Sequence, residues 1–199
     1  MTSPVIDPSR ATWFCVDIEC SGPVPGLYDM ISLGCVPVSG PTPHRVSDAR
    51  HYVEICPTAP RVDAGAMAVN GLDIDRLRAE GVALADALEG LTRFVRSHLV
   101  EGGEAVFVGH NAPFDWSFVA YSYHAVGQAN PFGYKALDTK ALAMGVLGLH
   151  WLDSSKEVLA ERLTLPPVQE DQVHRADYDA WYQAHILAQL LDVMERDAR

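Results

Sequence analysis

The sequence predicts an α/β fold in which a mixed β-sheet is flanked by helices, because strand-like segments come first and helical segments follow. Segment 13–18 is a short apolar run rich in β-forming side chains, which is typical of a buried central strand. Segments 30–38 and 50–55 are predicted as the next two strands, and the polar, proline-containing segment 39–48 as a loop between them. The chain is therefore expected to begin with an antiparallel meander.

The remainder is predicted to be mainly helical, with one further buried strand. Apolar residues from Leu84 to Leu99 follow helical spacing and indicate an amphipathic helix. Residues 106–108 are predicted as a short strand, and Pro113 suits the first turn of the helix after it. Further helices are predicted over 138–147, 154–162 and 177–196, after a loop at 57–65 and short helical or irregular structure at 66–81. We expect residues 1–199 to form a single domain with a core of about 12–195.

Composition is that of an ordinary globular protein, with 48% hydrophobic and 21% charged residues among 199. The formal net charge is −11. A protein that follows long nucleic acid by its phosphates normally carries a basic field. The acidic balance therefore favours short substrates or a small local basic patch, with metal ions supplying positive charge at the site.

The cysteines indicate a reducing setting. Cys15, Cys20, Cys35 and Cys56 include no Cys-x-x-Cys pair, which argues against a zinc site or a thioredoxin-like motif, and buried thiols are favoured over disulfides. The first ten residues do not resemble a signal peptide, and no apolar stretch approaches the roughly 20 residues needed to span a membrane. We expect a cytoplasmic protein that does not contact membranes.

Asp17 and Glu19 form the first candidate site motif. Residues two apart in a strand point the same way, so both carboxylates project together at the end of the first strand. Adjacent carboxylates repel each other unless a cation lies between them, and hard oxygen ligands favour magnesium or manganese. The alternative is a solvated strand end. The small residues Cys20, Ser21 and Gly22 follow, and this turn would let a nucleotide's sugar and phosphate approach the backbone.

Asp115 is the second candidate, in the first turn of the helix that follows a buried strand. Ligands bind beside such strand ends in open α/β sheets. The alternative is that Asp115 complements the helix dipole and that Asn111 is only a helix cap.

His174 and Asp179 form the third candidate motif. Asp179 is expected in the first turns of the last helix, with His174 in the loop before it, free to move over the site. An imidazole suits the role of general base for an attacking water near pH 7. Asp177 is a rival ligand: positions two apart on a helix face roughly 200° from each other, so only one of the two aspartates can join. The alternative for His174 is a purely structural role. We predict such a role for the other seven histidines, including His110 and His185.

Together these segments resemble the DEDDh, or DnaQ-like, 3′–5′ exonucleases. The motifs that carry the resemblance are 17–22, 110–115 and 174–180, the last with the five-residue step that the family uses. Segment 138–143 is similar to a further family segment, and 130–132 resembles ribonuclease T. The resemblance covers nearly the whole chain.

This resemblance implies an RNase H-like fold and a two-metal mechanism with His174 as general base. The ligands it implies for two divalent cations, Mg²⁺ or Mn²⁺, are Asp17, Glu19, Asp115 and Asp179, which decides for Asp179 over Asp177. It implies release of nucleoside 5′-monophosphates from the 3′ end of single-stranded RNA, DNA or short oligonucleotides. Asp138 would have a supporting role. A homodimer is a further expectation, because small members of the family often dimerise.

Contacts with the substrate are predicted near the first two motifs. Single strands are held by stacking bases on aromatic rings, and Tyr28 or Leu27 is expected to contact the terminal base, with Cys20–Gly22 and Asn111 also binding substrate. Other aromatic candidates, for which core packing is the alternative, are Phe114, Trp116, Phe132 and Tyr134. The competing function is that of an exonuclease-like adaptor without turnover. Loss of a ligand or of the histidine would indicate such an adaptor, and none is missing.

Overall fold

A computed structural model of the protein describes residues 10–197. The strands are β1 (Ala11–Cys20), β2 (Met30–Ser39), β3 (Arg45–Val46), β4 (His51–Glu54), β5 (Glu104–Gly109) and β6 (Ala136–Asp138). The helices are α1 (Ala64–Asn70), α2 (Ile74–Glu80), α3 (Leu84–His98), α4 (Pro113–Ala125), α5 (Thr139–Leu147), α6 (Lys156–Arg162) and α7 (Ala176–Asp197). A 3₁₀ turn spans Trp151–Asp153.

The strands form a mixed sheet in the order β3-β2-β1-β5-β6, with β4 also paired to β2. β1 runs antiparallel to β2 and parallel to β5, and β5 runs parallel to β6. The predicted mixed sheet flanked by helices is therefore confirmed, including the meander that opens the chain. Two short strands differ from the prediction: β3 lies inside the segment predicted as a loop, and β6 ends at Asp138, where a helix was expected to begin.

Helices cover both faces of the sheet, and β1 contributes side chains to each face in turn. Phe14, Val16 and Ile18 pack in the cluster that contains α3 and α4, whereas Cys15 packs in the cluster that contains α7. Because side chains alternate along a strand, Asp17 shares the α7 face with Cys15. Two-residue periodicity thus directs the acidic pair toward the last helix of the fold.

Gly34 allows α7 to begin directly on the sheet. A Cβ at this position would lie 2.1 Å from the backbone oxygen of Ala176, much closer than atoms can approach. Gly34 is also the β2 partner of Asp17 on β1. The first turn of α7 therefore lies against the strand pair at the level of Asp17.

The four cysteines are free thiols; three are buried and Cys56 is half-buried, as predicted. Within residues 10–197, none of the helices combines the length and the apolar composition that crossing a membrane requires.

Candidate active site

The site forms where β1 extends beyond its pairing with β5. The parallel pairing stops at Cys15, so the following backbone groups on that edge need other partners. Asp115 Oδ1 accepts a hydrogen bond from the Ile18 N–H at 3.1 Å, and Gln183 Nε2 donates to the Val16 carbonyl at 2.8 Å. Side chains from α4 and α7 thus hold the end of β1 and its two carboxylates between them.

Asp115 is buried in the first turn of α4, and the loop before this helix is held by Asp138. Asp138 Oδ1 accepts hydrogen bonds from the N–H groups of Asn111 at 2.9 Å and Ala112 at 3.4 Å. Asn111 has a φ of 71°, a conformation that asparagine tolerates better than most residues. Ala112, rather than Asn111, occupies the cap position, so the capping alternative for Asn111 is wrong. The side chain of Asn111 instead lines the cleft described below.

Asp179 is buried in the first turn of α7. Its Oδ2 accepts a hydrogen bond from the backbone N–H of His174 at 2.8 Å, which ties the preceding loop to the helix. His174 itself is exposed. The rival Asp177 forms an ion pair with Arg175, with 2.7 Å between Oδ1 and Nε.

One cleft of about 300 Å³ contains the five residues that the sequence singles out for catalysis and metal binding. They are Asp17, Glu19, Asp115, His174 and Asp179. Phe114, His110, Lys156 and Glu157 are among the residues that complete the lining. Residues more than 150 positions apart in the sequence therefore meet at the carboxyl end of one strand.

Burial makes the charged form of these carboxylates unfavourable. It is the main reason that the pKa of Asp17 is raised to about 7, a rise that Lys156 opposes and Asp179 reinforces. The pKa of Glu19 is raised to about 9 by burial and then by the negative charges around it. Burial and the charge of Asp17 raise the pKa of Asp115 well above its usual range. Bound cations would relieve the repulsion among these neighbouring carboxylates and favour their charged forms.

The donor set fits divalent cations. Ligand atoms of Glu19, His174 and Asp179 all lie within 4.8 Å of one another. Carboxylate oxygens are the hard ligands that magnesium and manganese prefer. The family that the sequence resembles generally uses divalent metal ions.

Sequence reasoning missed Lys156, the first residue of α6. Its Nζ lies 2.6 Å from Asp179 Oδ1 and 3.9 Å from Asp17 Oδ1. No motif marks this lysine, because its contacts depend on how α6 packs against α7. The available signal was a lysine directly after the capping residue Ser155, at the end of a helix where a positive charge is unfavourable.

His110 also lines the cleft, although sequence reasoning assigned it a structural role. Its Nδ1 lies 2.8 Å from Thr139 Oγ1. Burial, assisted by Lys156 and Lys140, lowers the pKa of His110 to about 3. The ring is therefore neutral at physiological pH, and its bond to the first residue of α5 connects that helix to the cleft.

The turn after the first motif, which was predicted to let a nucleotide approach, is tightly packed. Ser21 is only 1% exposed, and its hydroxyl accepts a hydrogen bond from the Asp29 N–H at 2.9 Å. A Cβ at Gly22 would lie 2.3 Å from the ring of Tyr28, so only glycine leaves room for that ring. Cys20 is buried as well. The backbone of this turn is also engaged, because the Ser21 N–H donates to the Asp29 carbonyl and the Ser21 carbonyl accepts from the Asp63 N–H. Contact of Cys20, Ser21 or Gly22 with substrate stays a prediction.

Leu27 and Tyr28 line two neighbouring cavities rather than the acidic cleft. Leu27 is 48% exposed and lines a cavity of about 440 Å³ together with Arg61 and Tyr121. Tyr28 lines a smaller cavity of about 40 Å³ beside Met30. Contact of either side chain with the terminal base stays a prediction.

The remaining aromatic candidates differ in how far their rings are packed into the core. Trp116 and Phe132 pack edge-on against Phe107, with ring centroids 5.0 and 5.4 Å apart. Phe132 is buried and so has no face available for a base. Phe114 packs on the core yet lines the cleft, and Tyr134 is 83% exposed.

An α/β fold with a carboxylate-rich cleft at the end of its central strand defines a class of nucleases with RNase H-like architecture. Residues 14–187 match the exonuclease family RNase_T. The chain is 36% identical over 172 residues to the 3′–5′ DNA exonuclease Cap18 of Escherichia coli. This alignment covers 86% of this chain and 87% of that protein. It is 36% identical over 131 residues to ribonuclease T of Yersinia enterocolitica, covering 64% of this chain and 59% of that protein. The chain therefore belongs to this exonuclease family.

Solved structures agree on the fold. A full-length 3′-exonuclease aligns with a TM-score of 0.75 at 12% identity, over 90% of this chain and 81% of that one. The nuclease domain of 3′hExo, a DEDDh family member bound to rAMP, aligns with a TM-score of 0.71 at 10% identity. This alignment covers 96% of this chain and 94% of that domain. These structures confirm the predicted RNase H-like fold. The family match and the Escherichia coli relative confirm the prediction of a 3′–5′ exonuclease.

Proposed function

We propose that this protein removes nucleotides one at a time from the 3′ end of single-stranded nucleic acid and releases nucleoside 5′-monophosphates. The reaction uses two divalent cations, Mg²⁺ or Mn²⁺. The observation that carries the proposal is the meeting of four carboxylates and a histidine in one cleft at the end of β1. An exonuclease-like adaptor is disfavoured, because every side chain of the set is present in the cleft.

The acidic residues would hold the two cations, and these ligands are Asp17, Glu19, Asp115 and Asp179. When bound, such ions supply the positive charge that stabilises a phosphodiester under attack and make a water molecule easier to deprotonate. Asp115 and Asp179 also organise the site, because each accepts a hydrogen bond from a backbone N–H at its edge.

His174 is the proposed general base. Its side chain lines the cleft and is exposed, so a water molecule can reach the ring. The hydrogen bond from its backbone N–H to Asp179 keeps the loop close to the ligands while the side chain stays free to move. Proton transfer by a positioned imidazole contributes typically 10²–10⁴-fold to a rate.

Single-stranded DNA is the proposed main substrate. The support is the relative named as a DNA exonuclease, which aligns over most of both chains, whereas the ribonuclease T relatives align over a smaller part. RNA is the second candidate because of those relatives. The net charge of −11 favours short strands, since long ones are normally held by a basic surface.

A ladder assay tests the proposal. Single strands of DNA and RNA of about 20 nucleotides, labelled at the 5′ end, are incubated with Mn²⁺, Mg²⁺ or chelator. Asp179→Asn is compared with Asp177→Asn. The second substitution removes a carboxylate from the same helical turn, but this carboxylate pairs with Arg175 and is not a proposed metal ligand. We expect metal-dependent shortening from the 3′ end that Asp179→Asn abolishes and Asp177→Asn leaves in place. Failure of the metal-loaded protein to shorten either strand, or shortening from the 5′ end, would refute the proposal.

A further inference from the structure

The ammonium group of Lys156 lies among the proposed metal ligands. It is 2.6 Å from Asp179 Oδ1 and 3.9 Å from Asp17 Oδ1. Both aspartates belong to the set that would hold the cations. The lysine therefore neutralises part of a buried acidic cluster in the way that a metal ion would.

Local helix stability does not explain this placement. Lys156 is the first residue of α6, where the helix dipole disfavours a positive charge. The other lysines of the chain, Lys135 and Lys140, lie over the rings of Tyr134 and Trp151. Lys156 is thus the lysine that the fold directs into the acidic cleft, at a cost to its own helix.

We propose that Lys156 is a tethered cation that competes with a divalent ion for the carboxylates of Asp17 and Asp179. This inference rests on the proposed function, because it takes these aspartates as metal ligands. It adds a residue that sets how tightly the metal is held.

Steric and electrostatic reasons make the two cations exclude each other. A magnesium ion lies about 2.0–2.1 Å from its ligand oxygens. Both oxygens of Asp179 already have partners, because Oδ1 contacts the Lys156 ammonium and Oδ2 accepts the His174 N–H. Two positive charges that share one carboxylate also repel each other. The lysine stem is flexible, and the side chain is 27% exposed, so it can move into the open part of the cleft.

The test is Mn²⁺ binding by calorimetry to wild type, Lys156→Met, Lys156→Arg and Lys140→Met. Methionine keeps a flexible unbranched chain without the charge, and Lys140→Met removes a positive charge near the cleft that contacts Trp151 instead. We expect Lys156→Met to bind Mn²⁺ about tenfold more tightly, the change expected from losing about 1.4 kcal/mol of competition. Lys156→Arg and Lys140→Met should stay within about twofold of wild type.

Acetylation footprinting supplies a second measurement on the unaltered protein, where Lys135 and Lys140 are internal references. Lys156 should be protected in chelator and become reactive when Mn²⁺ is added. Unchanged or weaker Mn²⁺ binding by Lys156→Met, or protection of Lys156 that persists with Mn²⁺ bound, would overturn the inference. If wild type itself binds no Mn²⁺, the proposed function fails, and that outcome is distinct from a failure of the competition alone.

Discussion

Asp17 and Glu19 are carboxyl groups that the fold partly removes from water. Burial, together with neighbouring charges, raises the pKa of Asp17 to about 7 and that of Glu19 to about 9. The sequence predicted that these side chains would project together, because the two-residue period of a strand depends on local geometry alone. It did not predict Lys156, because that contact joins residues 23 positions apart through the packing of two helices.

The raised pKa values predict how metal-free stability depends on pH. In the unfolded chain these groups titrate near 3.8 and 4.5, so the folded state holds their protons more tightly. Their contribution to stability is therefore greatest below about pH 4 and is lost as pH rises through about 7 for Asp17 and about 9 for Glu19. Urea unfolding in chelator across this range should show the decline. Asp17→Asn should flatten the part between about pH 4 and pH 7, and an unaltered slope in this variant would contradict the raised pKa of Asp17.

His174→Gln should lower kcat by about 10²–10⁴-fold, because it removes the proposed proton acceptor. Steady-state kinetics on a short DNA strand measures the effect, with His124→Gln on the exposed end of α4 as the control. A kcat in His174→Gln within about threefold of wild type would exclude the role of general base.

Two elements that pack on opposite faces of the sheet meet at the end of β1. α4 provides Asp115, and α7 provides Asp179 and Gln183. Asp115 and Gln183 form hydrogen bonds with backbone groups of β1, and Asp179 accepts one from the loop before α7. Strong patterns in the sequence identified the long elements. The three-residue β6 was missed because it is too short for a periodic signal, and Asp138 is the cap of α5 rather than its first residue.

Gly34→Ala should displace the start of α7, since the added methyl would lie 2.1 Å from the Ala176 oxygen. Overpacking of this kind typically costs about 1–3 kcal/mol. We expect lower stability in urea unfolding and weaker Mn²⁺ binding, because Asp179 moves with the helix.

Gly145→Ala is the matched control for this change. This glycine lies within α5 with nothing near the added Cβ, so alanine should stabilise the helix by about 0.5–1 kcal/mol. Wild-type stability and Mn²⁺ affinity in Gly34→Ala would show that α7 does not depend on the close approach.

The whole molecule carries a net negative charge, and so does nucleic acid, the polymer on which exonucleases act. The net charge is −11, and positive charge at the cleft comes from Lys156 and from the proposed metal ions. Composition predicted this imbalance, but it gave no information on where the few basic residues would lie. The single-domain organisation and the homodimer stay predictions.

This charge balance predicts weak dependence on salt and on strand length. With few phosphate contacts, few counterions are released on binding, so the logarithm of kcat/KM should fall only slightly with the logarithm of salt concentration. Short strands should be hydrolysed with a kcat/KM at least as high as that of strands of about 20 nucleotides. A steep salt dependence combined with strong preference for long strands would instead indicate an extended basic binding surface.

The most direct test of the metal site is the stoichiometry of Mn²⁺ binding measured together with hydrolysis of a short DNA strand. Wild type and Asp115→Asn are compared, since Asp115 is the ligand contributed by α4. The proposed site predicts two ions per wild-type chain, with fewer ions and no hydrolysis in Asp115→Asn. Full hydrolysis by Asp115→Asn, or turnover by wild type with no bound ion, would contradict it.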